Sequence, residues 1–421
     1  MKNICVLGLG YIGLPTACLF ATSGYQVIGV DKDRARVEAI KQGVPPFEEK
    51  GLKKLLQEAI KLDRLSVSMK PETADVFLIA VPTPLNKRDK KAELGYVQEA
   101  AADVGRYLGK GNIVILESTV PMGANEKLLL PMLEESGLKG GKDFYLAYCP
   151  ERALPGRTIH EMIHNARIIG GINQKSAQIV QELYSSFVKG DIYLVDIRTA
   201  EMVKLMENTY RDINIALANE FAQIAENSGV NIWEAIELAN KHPRVSILKP
   251  GPGVGGHCLP KDPWFLAESS AKSRVISLAR RINDSMPTHI LHMIKSMLGE
   301  RKQATVTVLG VAYKGDVDDT RESPALQLIK LIERGGCKVK IHDPIVKNFE
   351  YEILDQTDAV KGTDCIVLVT DHSSFKKIDP QQVSKLVRSK NLIDTRNILD
   401  HKKWESAGFK VRILGNGVSQ G

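Results

Sequence analysis

Residues 3–31 read NICVLGLGYIGLPTACLFATSGYQVIGVD, and their pattern decides the fold. Asn3–Leu9 is a short apolar run of strand type, and Tyr25–Asp31 (YQVIGVD) is a second that ends on an acid. Between them, Gly10–Thr22 reads as a helix opened by glycines. Strand, glycine turn, helix and strand within about thirty residues make a βαβ unit. In GLGYIG, Gly8 permits a tight turn, Gly10 lets backbone amides approach a pyrophosphate, and Gly13 allows close helix–strand packing. An anion then sits on the helix N-terminus, where unpaired N–H groups and the helix dipole favour it. Asp31 is placed to accept hydrogen bonds from ribose hydroxyls and to repel a 2′-phosphate, which favours NAD over NADP; Arg36 is a candidate on the adenosine side.

The same segment has no charge from Ile4 to Val30, as a signal peptide or anchor would. Five glycines and a proline interrupt it and no basic cluster precedes it, so it reads as a globular core rather than a membrane element. Further strand-like runs follow at Val76–Val81, Ile113–Glu117 and Phe144–Tyr148, alternating with helical segments. That alternation predicts a doubly wound parallel sheet. From Thr199 apolar residues recur at helical spacing for some thirty positions, predicting a long central helix, with further helices at Ile232–Ala239 and Pro263–Leu298. The βαβ rhythm resumes at Ala304, where Gly310 stands alone without a second G-x-G-x-x-G. The expected fold class is therefore α/β, with two Rossmann-like doubly wound parallel-sheet domains joined by a long central helix and a helical middle domain. The boundaries fall at 1–198, 199–300 and 301–421.

The chain has 421 residues, a formal net charge of +7, and 43% hydrophobic and 25% charged residues. The basic excess is spread along the chain, which suits an anionic small molecule and not a nucleic acid. Cys5, Cys18, Cys149, Cys258, Cys337 and Cys365 form no C-x-x-C, which argues against a zinc knuckle or redox pair and for reduced thiols in a cytoplasm.

Four other stretches carry chemistry. VPTP (Val81–Pro84) and Ser118–Thr119 follow strands, at the sheet edge where ligands bind. YCPERALPGR (Tyr148–Arg157) places Glu151 at such an edge, to poise a water or to sit in an ion pair with Arg152 or Arg157. In AEMVKLMEN (Ala200–Asn208), Lys204 and Asn208 share a helix face, and taken alone the pattern is better explained by a surface ion pair of Lys204 with Glu201 or Glu207. GPGVGGHCLPKD (Gly251–Asp262) puts Cys258 on a slim loop with Lys261 and Asp262 beside it. No metal set is visible, and a reactive or an inert thiol both remain.

In order along the chain, GLGYIG, VPTP, ST, PER, A-E-x-x-K-L-x-x-N, G-G-H-C-L-P-K-D and AYKGDVDDTRESPA resemble the nucleotide-sugar 6-dehydrogenases, the family of UDP-glucose and UDP-N-acetylhexosamine dehydrogenases. The resemblance implies oxidation of a sugar C6 alcohol to a carboxylate with two NAD in succession. It makes Cys258 the nucleophile that forms a thiohemiacetal and then a thioester. Lys204 and Asn208 become oxyanion donors, each typically worth about 3–4 kcal/mol. Glu151, with Thr119 and Asp262, positions and deprotonates water. Implied cofactor contacts are Gly8, Gly10, Tyr11, Ile12, Gly13, Asp31, Arg36, Thr83 and Thr119.

By the same resemblance the C-terminal domain binds UDP. Tyr313, Lys314, Arg321 and Arg396 then face the substrate, together with Glu151, Arg152, Lys204, Asn208, Gly255 and Lys261. Arg244 reaches the sugar of a partner subunit, which requires a homodimer built on the central helix. Glucose-type members carry P-E-F with an acid four residues after the Glu, where this chain has Arg152 and Pro155. With NARIIGG (Asn165–Gly171), this is most similar to the UDP-N-acetyl-D-mannosamine dehydrogenases, the UDP-N-acetyl-D-glucosamine epimer being the alternative.

Overall fold

The computed structural model describes residues 2–417 except Pro155, Glu300 and Lys302, so the comparison at Pro155 lies outside the described residues. Two compact units emerge: residues 1–207 with 264–270, and residues 208–263 with 271–421.

The first unit holds an eight-stranded sheet. Its strands are β1 (Asn3–Leu7), β2 (Gln26–Val30), β3 (Leu65–Ser68), β4 (Val76–Ile79), β5 (Ile113–Leu116), β6 (Tyr145–Tyr148), β7 (Arg167–Gly171) and β8 (Ile192–Asp196), in the order β3-β2-β1-β4-β5-β6-β7-β8. Every side chain of β4 and β5 is buried, as expected of central strands covered on both faces. The order reverses between β1 and β4, so the loops after these two strands flank the crevice where open sheets bind ligands. One junction departs from an all-parallel sheet: β7 pairs antiparallel to β6, and β8 then runs parallel to β7.

The second unit holds β9 (Thr305–Leu309), β10 (Lys338–His342), β11 (Cys365–Leu368), β12 (Asn391–Asp394) and β13 (Lys410–Ile413), all parallel in the order β10-β9-β11-β12-β13. Its opening turn repeats that of the first sheet. Gly8 N donates to Val30 O and Gly310 N to His342 O, each at 2.8 Å. Leu9 N and Val311 N both reach the acid closing the next strand, Asp31 at 2.9 Å and Asp343 at 2.8 Å.

Gly310 does not in fact stand alone, because Gly310-Val311-Ala312-Tyr313-Lys314-Gly315 keeps the first and third glycines. What is lost is the helix behind them, which starts only at Pro324, whereas the first unit's helix starts at Gly13. Asp343 also accepts from Ile345 N, Val346 N and the buried His372, so its oxygens are filled from within the chain. Among the described residues, this turn therefore does not offer the immediate helix start and open carboxylate that the first unit's turn offers a dinucleotide.

The central helix runs Ile197–Ser228, 32 residues, and Ile232–Ala239 is helical as expected. The helix expected over Pro263–Leu298 is two helices, Asp262–Ala267 and Arg274–Leu298. The polar ESSAKS break between them offers serine hydroxyls that compete for the backbone.

Candidate active site

In the first unit the glycine loop is sterically determined. Gly8 has φ +93° and a Cβ there would meet Ala80 O at 2.5 Å; a Cβ on Gly13 would fall 1.8 Å from Gly8 O. Nothing lies within 4 Å of a Cβ on Gly10, which leaves the space above the loop open. Tyr11 stacks on Phe47 at 4.2 Å between ring centroids, a contact with no local signal in the sequence. Asp31 accepts from Leu9 N and Arg36 Nη1 (2.8 Å) through Oδ2 and from Asp33 N (2.9 Å) through Oδ1. A carboxylate has about four acceptor positions, so one remains for a ribose hydroxyl. These features fit a dinucleotide: an open cradle, a helix start and an acid with an acceptor position to offer. Thr83 is buried and Thr119 half-buried in the loops after β4 and β5, and Ser118 Oγ donates to Val81 O at 2.7 Å, tying those loops together.

Glu151 follows β6 and is nearly buried. Its Oε1 accepts from Arg152 N (2.6 Å) and Ala153 N (2.7 Å), and its Oε2 from Arg167 Nη2 (2.9 Å). Again one acceptor position remains, on Oε2. The buried Lys204 donates to Glu151 O at 2.6 Å. It is not a surface lysine in an ion pair: Glu201 is turned inward to Gly123 N, Asn125 N and Asn125 Nδ2, and Glu207 pairs with Arg152. All three guanidinium nitrogens of Arg152 are engaged, two with Glu207 and Nη1 with Ala166 O at 2.6 Å, so Arg152 braces the loop.

In the second unit, Cys258 O accepts from Lys261 N (3.1 Å) and Asp262 N (2.9 Å), a turn that starts the helix Asp262–Ala267. The slim loop before it packs on the segment after β9. A Cβ on Gly255 would meet Tyr313 Cβ at 2.6 Å, and Gly256 N donates to Arg321 O at 2.9 Å. Asp262 is fully buried, accepting from Asn208 Nδ2 at 2.7 Å with Lys261 Nζ at 3.2 Å. Arg321 grips Asp319 through both its Nε and Nη2, which fixes its guanidinium plane. Arg396 lies against Gly251 and donates through Nε to Val369 O at 2.9 Å. Lys314 is half-buried in the same loop as Tyr313, and Arg244 is exposed.

The remaining cysteines are poor nucleophiles. Burial pushes the thiols of Cys18 and Cys149 up to about 12 and that of Cys5 to about 11, raises Cys365 further, and raises Cys337 as well. Cys258 is half-buried on a loop, with two cationic residues, Lys261 and Arg321, in the segments that frame it.

Family models match three consecutive parts of the chain. They are the UDP-glucose/GDP-mannose dehydrogenase family NAD binding domain over residues 2–188, its central domain over 198–285 and its UDP binding domain over 307–401. The chain belongs to the UDP-glucose/GDP-mannose dehydrogenase family. Among members of this family, the UDP-N-acetyl-D-mannosamine dehydrogenase of Methanococcus vannielii is 50% identical over 99% of this chain and 98% of its own. That of Methanocaldococcus jannaschii is 48% identical over 99% and 97%. The solved UDP-D-ManNAc dehydrogenase of Pyrococcus horikoshii superposes with a TM-score of 0.92 at 45% identity, covering 99% of both chains.

As a member of the UDP-glucose/GDP-mannose dehydrogenase family the protein is an NAD-dependent oxidoreductase with an N-terminal NAD-binding domain and a C-terminal UDP-binding domain. The structure draws the expected residues into distinct sets. Gly8, Gly10, Gly13, Asp31 and Arg36 gather at the first turn, Glu151 and Lys204 beyond β6, and Asn208, Asp262, Lys261, Gly255, Tyr313 and Arg321 around the cysteine loop. Sequence reasoning missed Arg167 and Glu117. Both stood in stretches read as strand or motif, and a buried charge at a strand end has no signature of its own.

Proposed function

We propose that the protein oxidises the C6 alcohol of UDP-N-acetyl-D-mannosamine to the carboxylate, with two NAD consumed per sugar and Cys258 as covalent anchor. The supporting observation is that relatives 48–50% identical along their whole length bear the name of that activity.

NAD, when bound, supplies the acceptor for both hydrides; the open cradle at Gly10, with Asp31 and Arg36 beside it, would hold it. After the first oxidation the Cys258 thiolate adds to the C6 aldehyde carbon and gives a thiohemiacetal. Lys204 Nζ and Asn208 Nδ2, four residues apart on one helix, are assigned to the developing oxyanion. The second oxidation yields a thioester. Water then adds to the C6 carbonyl carbon and its proton passes to Glu151 Oε2, where the remaining acceptor position lies. Thr119 and Asp262 assist in placing the water. The C–S bond breaks and Cys258 departs as thiolate. Tyr313, Lys314, Arg321 and Arg396 are assigned to the UDP-sugar, with Gly255 and Lys261 at its reacting end and Arg152 bracing the Glu151 loop.

We place the functional divisions at 1–198, 199–300 and 301–421, and the enzyme in the cytoplasm. Among the described residues no helix is long and apolar enough to cross a membrane. We also read it as a homodimer through the central helix, with Arg244 reaching the partner's sugar.

The test is NADH formed per sugar consumed, with UDP-N-acetyl-D-mannosamine, UDP-N-acetyl-D-glucosamine and UDP-glucose offered in parallel. Two NADH per sugar, with the first substrate preferred, is the expected outcome. A ratio of one would remove the thioester from the scheme, and preference for the glucosamine epimer would reassign the substrate. Cys258→Ser is expected to abolish the four-electron turnover while NAD affinity stays within about twofold.

A further inference from the structure

Behind the Glu151 loop lies a buried charge cluster that the scheme above does not use. Arg167, first residue of β7, is 4% exposed and donates to Glu151 Oε2 through Nη2 at 2.9 Å. Its Nη1 lies 3.7 Å from Oε1 of Glu117, the residue following β5, which is 3% exposed. Glu117 is held from two further elements. Tyr184 donates to it at 2.5 Å from the helix Gln174–Tyr184, and Thr16 Oγ1 at 3.2 Å from the helix Gly13–Thr22 that follows the glycine loop. The guanidinium also rests on the Tyr184 ring, 4.6 Å from its centroid, and Nη1 lies 3.6 Å from Cys149 Sγ.

We propose that Arg167 is a positioning residue for thioester hydrolysis: it holds Glu151 Oε2 in place, with Glu117 anchoring its other end. This rests on the reading of Glu151 as the base that receives the water proton.

Three observations carry the inference. First, of the three donors to the Glu151 carboxylate, Arg167 alone reaches Oε2, the oxygen with an acceptor position left for water. Backbone amides fix Oε1 whatever happens to Arg167, so the guanidinium controls the reacting atom specifically. Second, one buried cation serves two buried carboxyls. The charges of the cluster balance when one of these holds a proton, and the contacts divide the roles. Glu151 takes the shorter bond to Arg167 and two N–H donors, all of which require an acceptor. Glu117 sits farther from the cation, and burial pushes its carboxyl up to about 7. Third, the cluster spans five segments of one unit, namely β7, the residues after β5 and β6, and two helices, so Arg167 has little room to reorient. Tyr184 and Cys149 also contact the Arg167–Glu117 pair, and Lys204 reaches the Glu151 carbonyl.

Misplacing a reacting group by about an ångström costs on the order of 100-fold in rate. The test follows the acyl-enzyme on Cys258 by intact-protein mass spectrometry and the two hydride transfers by NADH formation, in single turnovers of the purified full-length enzyme. Wild type, Glu151→Gln, Arg167→Met and Arg167→Lys are compared. Arg167→Met is expected to accumulate acyl-enzyme, with hydrolysis slowed about 100-fold while both hydride transfers stay within about twofold of the wild type. Arg167→Lys keeps a donor toward Oε2, so its hydrolysis falls only about tenfold. Should Arg167→Met not fold, the Lys variant carries the test through a loss confined to hydrolysis.

If Glu151→Gln accumulates acyl-enzyme but both Arg167 variants hydrolyse at the wild-type rate, the positioning role is overturned and the reading of Glu151 stands. An equal loss in hydride transfer and hydrolysis in the Arg167 variants likewise overturns it in favour of a structural role. If Glu151→Gln hydrolyses as the wild type does, the reading of Glu151 fails and the inference with it.

Discussion

At the scale of single residues, the chemistry depends on which groups are withheld from water. The Glu117 carboxyl has an ordinary value of 4.5 and is pushed to about 7, burial being the largest cause and Arg167 opposing it. Below about pH 4.5 the carboxyl is protonated in folded and unfolded chains alike. As pH rises towards 7 the unfolded chain releases this proton while the folded one keeps it, so stability falls through that window. At about 1.4 kcal/mol per unit the loss approaches roughly 3 kcal/mol. Glu117→Gln cannot titrate, so the variant is expected to lose this part of the slope. Urea unfolding of wild type and variant at pH 5, 6, 7 and 8 measures it, and parallel curves for the two would refute the assignment. Glu117 shows what local sequence conceals. It ends the apolar run IVILE, where nothing nearby says that Tyr184, Thr16 and Arg167 will converge on it. The loop that carries Cys258 is unusual in the sequence itself, whereas the burial that raises the other thiols is visible only in the folded chain.

At the scale of elements, periodicity located the central helix and most strands, because burial on one stripe or on alternate faces is written into local sequence. Strand ends were less legible: β4 and β5 stop two and one residues before the strands expected from the sequence do, where the chain turns into the loops at the sheet edge. The reversed direction of β7 had no local sign, since a strand's own pattern says nothing of which way it runs. The central helix carries a second buried acid whose role is structural. Glu201 accepts from Gly123 N at 2.5 Å and from Asn125 N and Nδ2 at 3.0 and 2.8 Å, anchoring the turn that follows the Ser118–Thr119 loop. Removing it strands three buried donors, each costing about 1–3 kcal/mol. Glu201→Ala is expected to lose about 3 kcal/mol or more in chemical unfolding, whereas Glu201→Gln retains part of the set. A loss under 1 kcal/mol for the alanine variant would mean water replaces the carboxylate.

At the scale of the whole molecule, the repeated turn at Gly8 and Gly310 argues that one architectural unit was put to two uses. The division follows from what fills each acid: Asp31 keeps an acceptor position, while Asp343 is saturated by backbone amides and His372. Assembly is the remaining element of the reading. Tyr210, Leu217 and Ile224 on the central helix are 60%, 41% and 56% exposed, and their spacing of seven residues puts them in one line along it. A helix surface that leaves such a line bare fits a seam against a second copy of the same helix. A stable interface of this kind buries on the order of 800 Å² per partner, more than one helix row supplies, so neighbouring elements must contribute. Two charges at its centre are still enough to disrupt it, because a buried unpaired carboxylate costs several kcal/mol. The double variant Leu217→Asp, Ile224→Asp is expected to run as a 46 kDa monomer in light scattering, with the wild-type far-ultraviolet circular dichroism retained. If Arg244 reaches the partner's sugar, that monomer also loses turnover, and Arg244→Ala in the intact dimer reproduces the loss. A monomeric wild type would remove both the seam and the role given to Arg244.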